Sequence, residues 1–244
     1  MSPALFPPQR LHRQKLVAIT EVDRLSLEEA QTIAKTSVDA ARQDKLISTE
    51  EAETRARSLD ALQWGLIPYW AKDPKVAYRT INARAESVDK APSFRQAFAK
   101  RRCLIPADGF YEWRKTQTPK LPFAIAMKDG RPFTFAGLWE GWKDPESGEW
   151  LRTCTIITGE PNELVAQIHP RMPVILPEEH HAAWLGETDN GNLKELLLPY
   201  PADEMRMWEI SPRVNSPKND DPSLWEPLHA QTQTTTDALE LLRE

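Results

Sequence analysis

The sequence predicts an α+β fold: a single domain with a curved antiparallel, barrel-like β core and a few peripheral helices. Three observations predict it. From Ser58 onward the chain is a series of short β-type runs broken by Pro and Gly: SLDALQWGLI, RRCLIP, GFYEWRK, PFAIAM, FTFAGLW, RTCTIIT and PVILP. The helix-type stretches between them are few and short. With 244 residues and 40% apolar content, the chain is long enough to bury one large core.

Taken in order, residues 1–57 form a divergent, partly helical segment. Ser26-Leu-Glu-Glu offers an N-cap serine with acids in the first turn, and Ala-rich helix formers continue toward Asp44. Residues 58–228 hold the β-rich domain, and 229–244 are a C-terminal tail. Helices are expected from about Ser93 to Lys100, from Pro161 to Gln167 with proline in the first turn, and from Pro177 to Leu185. PKLPFAIAMKDGRPFTFAGLW sets two alternating runs around Asp129-Gly130, a strong short-range signal for a hairpin that pairs them.

Composition narrows the function. Cys103 and Cys154 lie in apolar runs and read as reduced thiols packed as small hydrophobes, in a cytoplasmic, nucleoid-associated protein. The N-terminal stretch is broken by three prolines and has no apolar run of signal-peptide length, and no stretch approaches the roughly 20 apolar residues of a membrane span. A net charge of −5 argues against a protein that coats duplex DNA non-specifically. It leaves room for a local basic groove, since Arg95, Lys100, Arg101 and Arg102 follow one another without an acid. No phosphate-cradling glycine loop, Cys-x-x-Cys or zinc spacing is present, so neither a cofactor nor a metal is expected. His180 and His181 are adjacent in PEEHH and read as surface residues.

The candidate site residues are polar or ionisable groups set in apolar surroundings: Asn82, Arg84 and Glu86 in TINARAES, Glu112 between Tyr111 and Trp113, and His169 in QIHPRMPVIL. Burying such groups costs several kcal/mol, roughly, unless they are paired, so each points either to a partner or to a task. Each also has a plainer reading. Asn82 fits a turn amide capping its own backbone, Glu112 a buried ion pair with Arg84 or Arg171, His169 a helix C-cap, and Trp70 a core residue.

Several long blocks then occur in order: WGLIPYWAKDP, TINARAES, SFRQAF, RRCLIPADGFYEW, FAGLWEGW, CTIIT, IHPRMPVIL and RVNSPKNDDP. From Ser58 to Leu228 the chain resembles the SOS response-associated peptidase family, the abasic-site processing proteins. The resemblance implies a monomeric protein that binds single-stranded DNA and crosslinks to abasic sites. In the family a cysteine exposed by methionine removal closes a thiazolidine on the sugar aldehyde, and the same cysteine is linked to autopeptidase activity. An α-amino group with an ordinary pKa of about 7.7 to 8.0 keeps a useful fraction of free amine near neutrality. A neighbouring thiol then closes the ring intramolecularly.

The same resemblance assigns roles residue by residue. Asn82 holds the amine or the opened sugar, Glu112 moves protons during ring opening and imine formation, and His169 protonates or hydrogen-bonds the leaving oxygen. Arg84 and Arg171 match phosphate-gripping arginines, and Trp70 with Tyr69 matches an aromatic wedge that stacks on a base. One departure stands out: the family begins Met-Cys-Gly-Arg, whereas this sequence has Ser2. That leaves a diverged non-covalent binder using Trp70, Arg84, Arg171, Arg213 and Lys218 as an alternative, and a Glu/His-dependent peptidase acting on protein as another. If the family's first strands are missing, the core is left with an open edge, which KLVAIT at residues 15–20 is placed to fill.

Overall fold

A computed structural model describes residues 15–21, 57–115, 120–188 and 191–228. The helix expected from Ser26 toward Asp44 and the tail 229–244 lie outside the described residues.

The β-rich reading is met by two sheets, with Lys15–Glu21 (β1), Arg57–Trp64 (β2), Asn82–Arg84 (β3), Arg102–Ala107 (β4), Phe133–Lys143 (β7), Trp150–Gly159 (β8), Met172–Pro173 (β9) and Ile175–Leu176 (β10) in the larger one. Phe110–Arg114 (β5), Leu121–Met127 (β6) and Met205–Glu209 (β11) form the smaller. The large sheet curls until its pairings return on themselves: β7, β4, β1, β2 and β8 each pair with the next, and β8 pairs again with β7. KLVAITE does take the interior place open to it. It pairs antiparallel with β2 along its whole length and reaches β4 at Ile19↔Leu104 and Thr20↔Cys103. The sheet is mixed rather than wholly antiparallel, because β2 and β3 both run parallel to β8.

The expected hairpin around Asp129-Gly130 is not formed. The turn is there, with Gly130 at φ 77° and the Asp129 carboxylate accepting from the Arg131 N–H, but β6 pairs with β5 and β11 while β7 pairs with β4, β8 and β10. The reason lies in PFAIAM. Its residues are buried on both faces, so β6 packs as the centre of its own sheet, and the Asp-Gly turn carries the chain from one sheet to the other. Hairpins form instead between β5 and β6 and between β7 and β8, where Asp144 accepts from the Glu146 N–H and the Ser147 hydroxyl.

Helices are as few and short as the sequence implies. Arg95–Lys100 (α1) and His181–Leu185 (α2) are α-helical among the described residues, with a 3₁₀ turn at Glu178–His180 leading into α2. The helix expected over 161–167 is a 3₁₀ turn, Val165–Gln167, capped by the Asn162 side chain on the Val165 N–H. Half of the basic run around α1 is taken up by internal partners, while Arg95 and Lys100 are exposed. Arg101 pairs with Glu140, and Arg102 donates to the carbonyls of Phe98, Ala99 and Trp184. His181 is likewise no surface residue: its Nε2 lies 2.8 Å from Thr134 Oγ1, and burial lowers its pKa.

One core fills the barrel and continues under the small sheet through Phe110, Phe123, Ile125 and Met205. The opposite face of the small sheet, with Tyr111, Trp113 and Trp208, is covered by Ile210, Val214, Leu224 and Trp225. A side chain on Gly109 would meet Trp225 at 2.3 Å and the Ile125 carbonyl at 2.5 Å, so only glycine lets the chain enter β5 this close to its cover. Alternation along β5 then turns Glu112 to the Phe110 side, toward the barrel.

Candidate functional site

Glu112 and His169 come together at the inner face of β5. Both are at least 95% buried, with Glu112 Oε2 3.7 Å from His169 Nδ1, beyond hydrogen-bonding distance. Burial pushes the Glu112 carboxyl up to about 7, against a weak opposing hydrogen bond from the Trp113 N–H. Burial acts on His169 in the opposite sense and lowers its pKa. The ion pair with Arg84 or Arg171 open to Glu112 is not made; its ionisable partner is the imidazole, and Arg171 pairs with Glu86.

His169 does close the 3₁₀ turn before it, its N–H donating to the Val165 carbonyl. The ring is fixed separately. Nδ1 lies 2.8 Å from the Arg171 carbonyl oxygen and 3.2 Å from the Arg171 N–H, and the shorter contact favours the tautomer with the proton on Nδ1 and the lone pair on Nε2. Two titratable groups with converging pKa values are thus held side by side in a water-poor setting, one able to give a proton near neutrality and the other to take one.

β8 links this pair to the remaining polar residues. Asn82 and Arg84 on β3 stand opposite Ile156 and Thr158, and the Arg171 side chain reaches the same Thr158. Asn82 does not cap its own backbone: among the described residues its Oδ1 is buried without a hydrogen-bond partner. Arg84, two residues on, is exposed. Arg171 is mostly buried and occupied, donating to both oxygens of Glu86 at 2.8 and 3.0 Å and to Thr158.

Tyr69 and Trp70 are 55% and 51% exposed, so Trp70 is a surface residue and not core. Their loop is anchored on both sides: Trp142 Nε1 donates to the Ala71 carbonyl and the Ile67 N–H to Thr153. Arg213 and Lys218 lie apart, on the segment covering the back of the small sheet. Arg213 is paired with Asp221 at 2.7 Å, and Lys218 is exposed. That segment touches the site indirectly, through Asn215 Oδ1 accepting from Trp113 Nε1. Sequence reasoning gave no role to Thr158 or Glu86. Thr158 carried no signal in an apolar run, and Glu86 carried only its nearness to Arg84. Cys103 and Cys154 are free and wholly buried, and burial pushes Cys154 up to about 12.

Fold and site together define a curled β-barrel protein with a buried carboxyl–imidazole pair, an exposed arginine at Arg84 and exposed aromatic side chains at Tyr69 and Trp70. Comparisons with known proteins bear on the fold and the family. The model of the SOS response associated peptidase (SRAP) family matches residues 8–217. The chain is 52% identical over 171 residues to the abasic site processing protein YoqW of Bacillus subtilis, covering 69% of this chain and 76% of that protein. It is 33% identical over 202 residues to the abasic site processing protein HMCES of Gallus gallus, covering 73% of this chain and 60% of that one. A crystal structure of a protein from Bacteroides thetaiotaomicron superposes with a TM-score of 0.64 at 25% identity, over 86% of this chain and 98% of the other. This chain belongs to the SRAP family. Among the described residues, no helix is long and apolar enough to cross a membrane.

Proposed function

We propose that this protein processes abasic sites in single-stranded DNA. The strand lies across Tyr69, Trp70 and Arg84, and the lesion sugar enters beside Asn82, Glu112 and His169. The observation that carries this reading is the buried Glu112–His169 pair, 3.7 Å apart, in which burial raises the carboxyl to about 7 and lowers the imidazole. The names of the relatives supply the substrate class.

An abasic deoxyribose is mostly a closed hemiacetal, and opening it moves one proton and breaks one bond. His169 Nε2 takes the proton of the anomeric hydroxyl, the bond from the anomeric carbon to the ring oxygen breaks, and the protonated Glu112 carboxyl gives its proton to that oxygen. The aldehyde forms, no atom is gained or lost, and the pair ends as imidazolium and carboxylate, mutually attracting in a low-dielectric setting. Asn82 Oδ1 accepts a hydrogen bond from the freed hydroxyl. Arg84 holds the adjoining phosphate.

Capture of the aldehyde needs an amine and, for a stable ring, a thiol. Position 2 of this sequence is Ser2, and the two cysteines are sealed in the core, where a thiol has neither solvent access nor an adjacent amine. A second reading, supported by the burial of both Cys103 and Cys154, is recognition of the abasic strand without a permanent crosslink. The test is denaturing electrophoresis of the protein with single-stranded DNA bearing one abasic site, with and without borohydride, beside a version restored to begin Met-Cys-Gly-Arg. We expect a heat-stable adduct from the restored version that is lost on Glu112→Gln, and only denaturant-sensitive binding from the chain with Ser2. An adduct from neither version, with no preference for abasic over intact DNA, overturns the reading.

A further inference from the structure

Arg171 was expected to grip phosphate, yet four of its five N–H groups are already used. Nε donates to Thr158 Oγ1 at 3.3 Å, Nη1 to Glu86 Oε1 at 2.8 Å, and Nη2 both to Glu86 Oε2 at 3.0 Å and to the Thr158 carbonyl. A guanidinium held in this two-point fork is fixed in angle as well as position. The anchors are themselves fixed. Thr158 sits in β8 between Arg84 of β3 and Pro173 of β9, and its carbonyl also accepts from the Ala85 N–H. The turn carrying Glu86 is tied down by Lys194, whose Nζ donates to the Glu86 carbonyl and to Asp89.

The backbone of this same Arg171 sets the His169 ring. Its carbonyl accepts from Nδ1 at 2.8 Å, while its own N–H approaches Nδ1 at 3.2 Å and competes for that nitrogen in the other tautomer. A change in the Arg171 backbone torsions that favours the N–H over the carbonyl would leave the proton on Nε2 and the base unable to act. We propose that Glu86 is a positioning residue for His169: by clamping the Arg171 side chain to β8, it holds the 169–171 turn in the arrangement that protonates Nδ1 and frees Nε2. The phosphate contact then falls to the exposed Arg84, with Arg171 working from within. Charged groups facing His169 from other elements are Glu112 on β5 and Lys115 and Lys120 beyond it; none of them bonds Nδ1.

This assignment rests on the proton-accepting role of His169 given above, and its test is separable from it. The imidazole of His169 is observed by nitrogen-15 NMR in the parent, in Glu86→Ala and in Arg171→Lys, with thermal melting of each. The parent is expected to show one tautomer, protonated at Nδ1. Both variants are expected to show a mixture while still folding, since Glu86 is 51% exposed at its side chain and Arg171→Lys keeps the charge. Affinity for intact single-stranded DNA is expected to fall several-fold in Arg84→Ala and to be unchanged in Glu86→Ala. A parental tautomer in both variants overturns the positioning role. Failure of the parent to prefer abasic DNA would instead overturn the functional reading and leave the tautomer result standing.

Discussion

Among the described residues two glutamates are buried, and they have opposite surroundings. Glu140 on β7 meets the Arg101 guanidinium at 2.7 Å and accepts from the Gly141 N–H, so its charge has a permanent counterpart. Glu112 on β5 accepts a long hydrogen bond from the Trp113 N–H and faces an imidazole, 3.7 Å away, that is itself discouraged from charging. Burial raises the pKa of both, but at Glu140 the arginine opposes it by charge and hydrogen bond. On the proposed function, the contrast separates a carboxylate kept for structure from a carboxyl kept for proton transfer. The first is matched to a group that never deprotonates, the second to one that can itself titrate.

The comparison sharpens most under exchange of each acid or its partner. Glu112→Gln removes the proton donor and should lower the rate of abasic-site processing by about 10²–10⁴-fold in single-turnover assays. It should not weaken the fold. The folded protein holds the Glu112 proton up to about pH 7, whereas the unfolded chain releases it near 4.5. Stability from this group is therefore full below 4.5 and lost as pH rises through 7. At pH 8 the substitution should stabilise by up to about 3 kcal/mol, fading toward pH 5 in thermal melts. Arg101→Met should do the reverse, leaving Glu140 buried without its cation and costing about 3–5 kcal/mol at pH 8, less at pH 5 where the carboxyl can protonate.

Smaller effects are expected at the rim. Trp70→Ala should weaken binding of single-stranded DNA by about 1–3 kcal/mol in anisotropy titrations, the stacking of one base, without changing the Glu112 titration. Arg84→Ala should reduce the salt dependence of that binding by about 0.7 in log–log slope, the share of one phosphate on a single strand. Arg213→Ala breaks an exposed pair with Asp221 and should change stability by under about 1 kcal/mol.

Much of the site was legible because buried charge is conspicuous in sequence. Glu112 between two aromatics and His169 before a proline stood out as groups needing a reason, and the structure brings those two together. KLVAIT was legible as a strand from its β-branched run, although neither of its neighbours could be named. What escaped was long-range. An Asp-Gly turn between two apolar runs reads as a hairpin because local rules assume the runs pair with each other; PFAIAM, apolar on both faces, pairs with β5 and β11 instead. Glu86 looked like one more charge beside Arg84, since nothing local announces a partner 85 residues away. His181 looked exposed because an adjacent histidine pair after two glutamates reads as a polar surface, whereas Thr134 from β7 fills its hydrogen bond.

The most direct test of the central claim is a carbon-13 titration of the glutamate carboxyls in the folded protein, with Glu112 assigned by its loss in Glu112→Gln. A Glu112 carboxyl titrating near pH 7, with His169 still neutral in the same range, is the predicted result. Titration at the ordinary value near 4.5 would make Glu112 a plain carboxylate at neutral pH, and the acid–base pair on which the account rests would not exist.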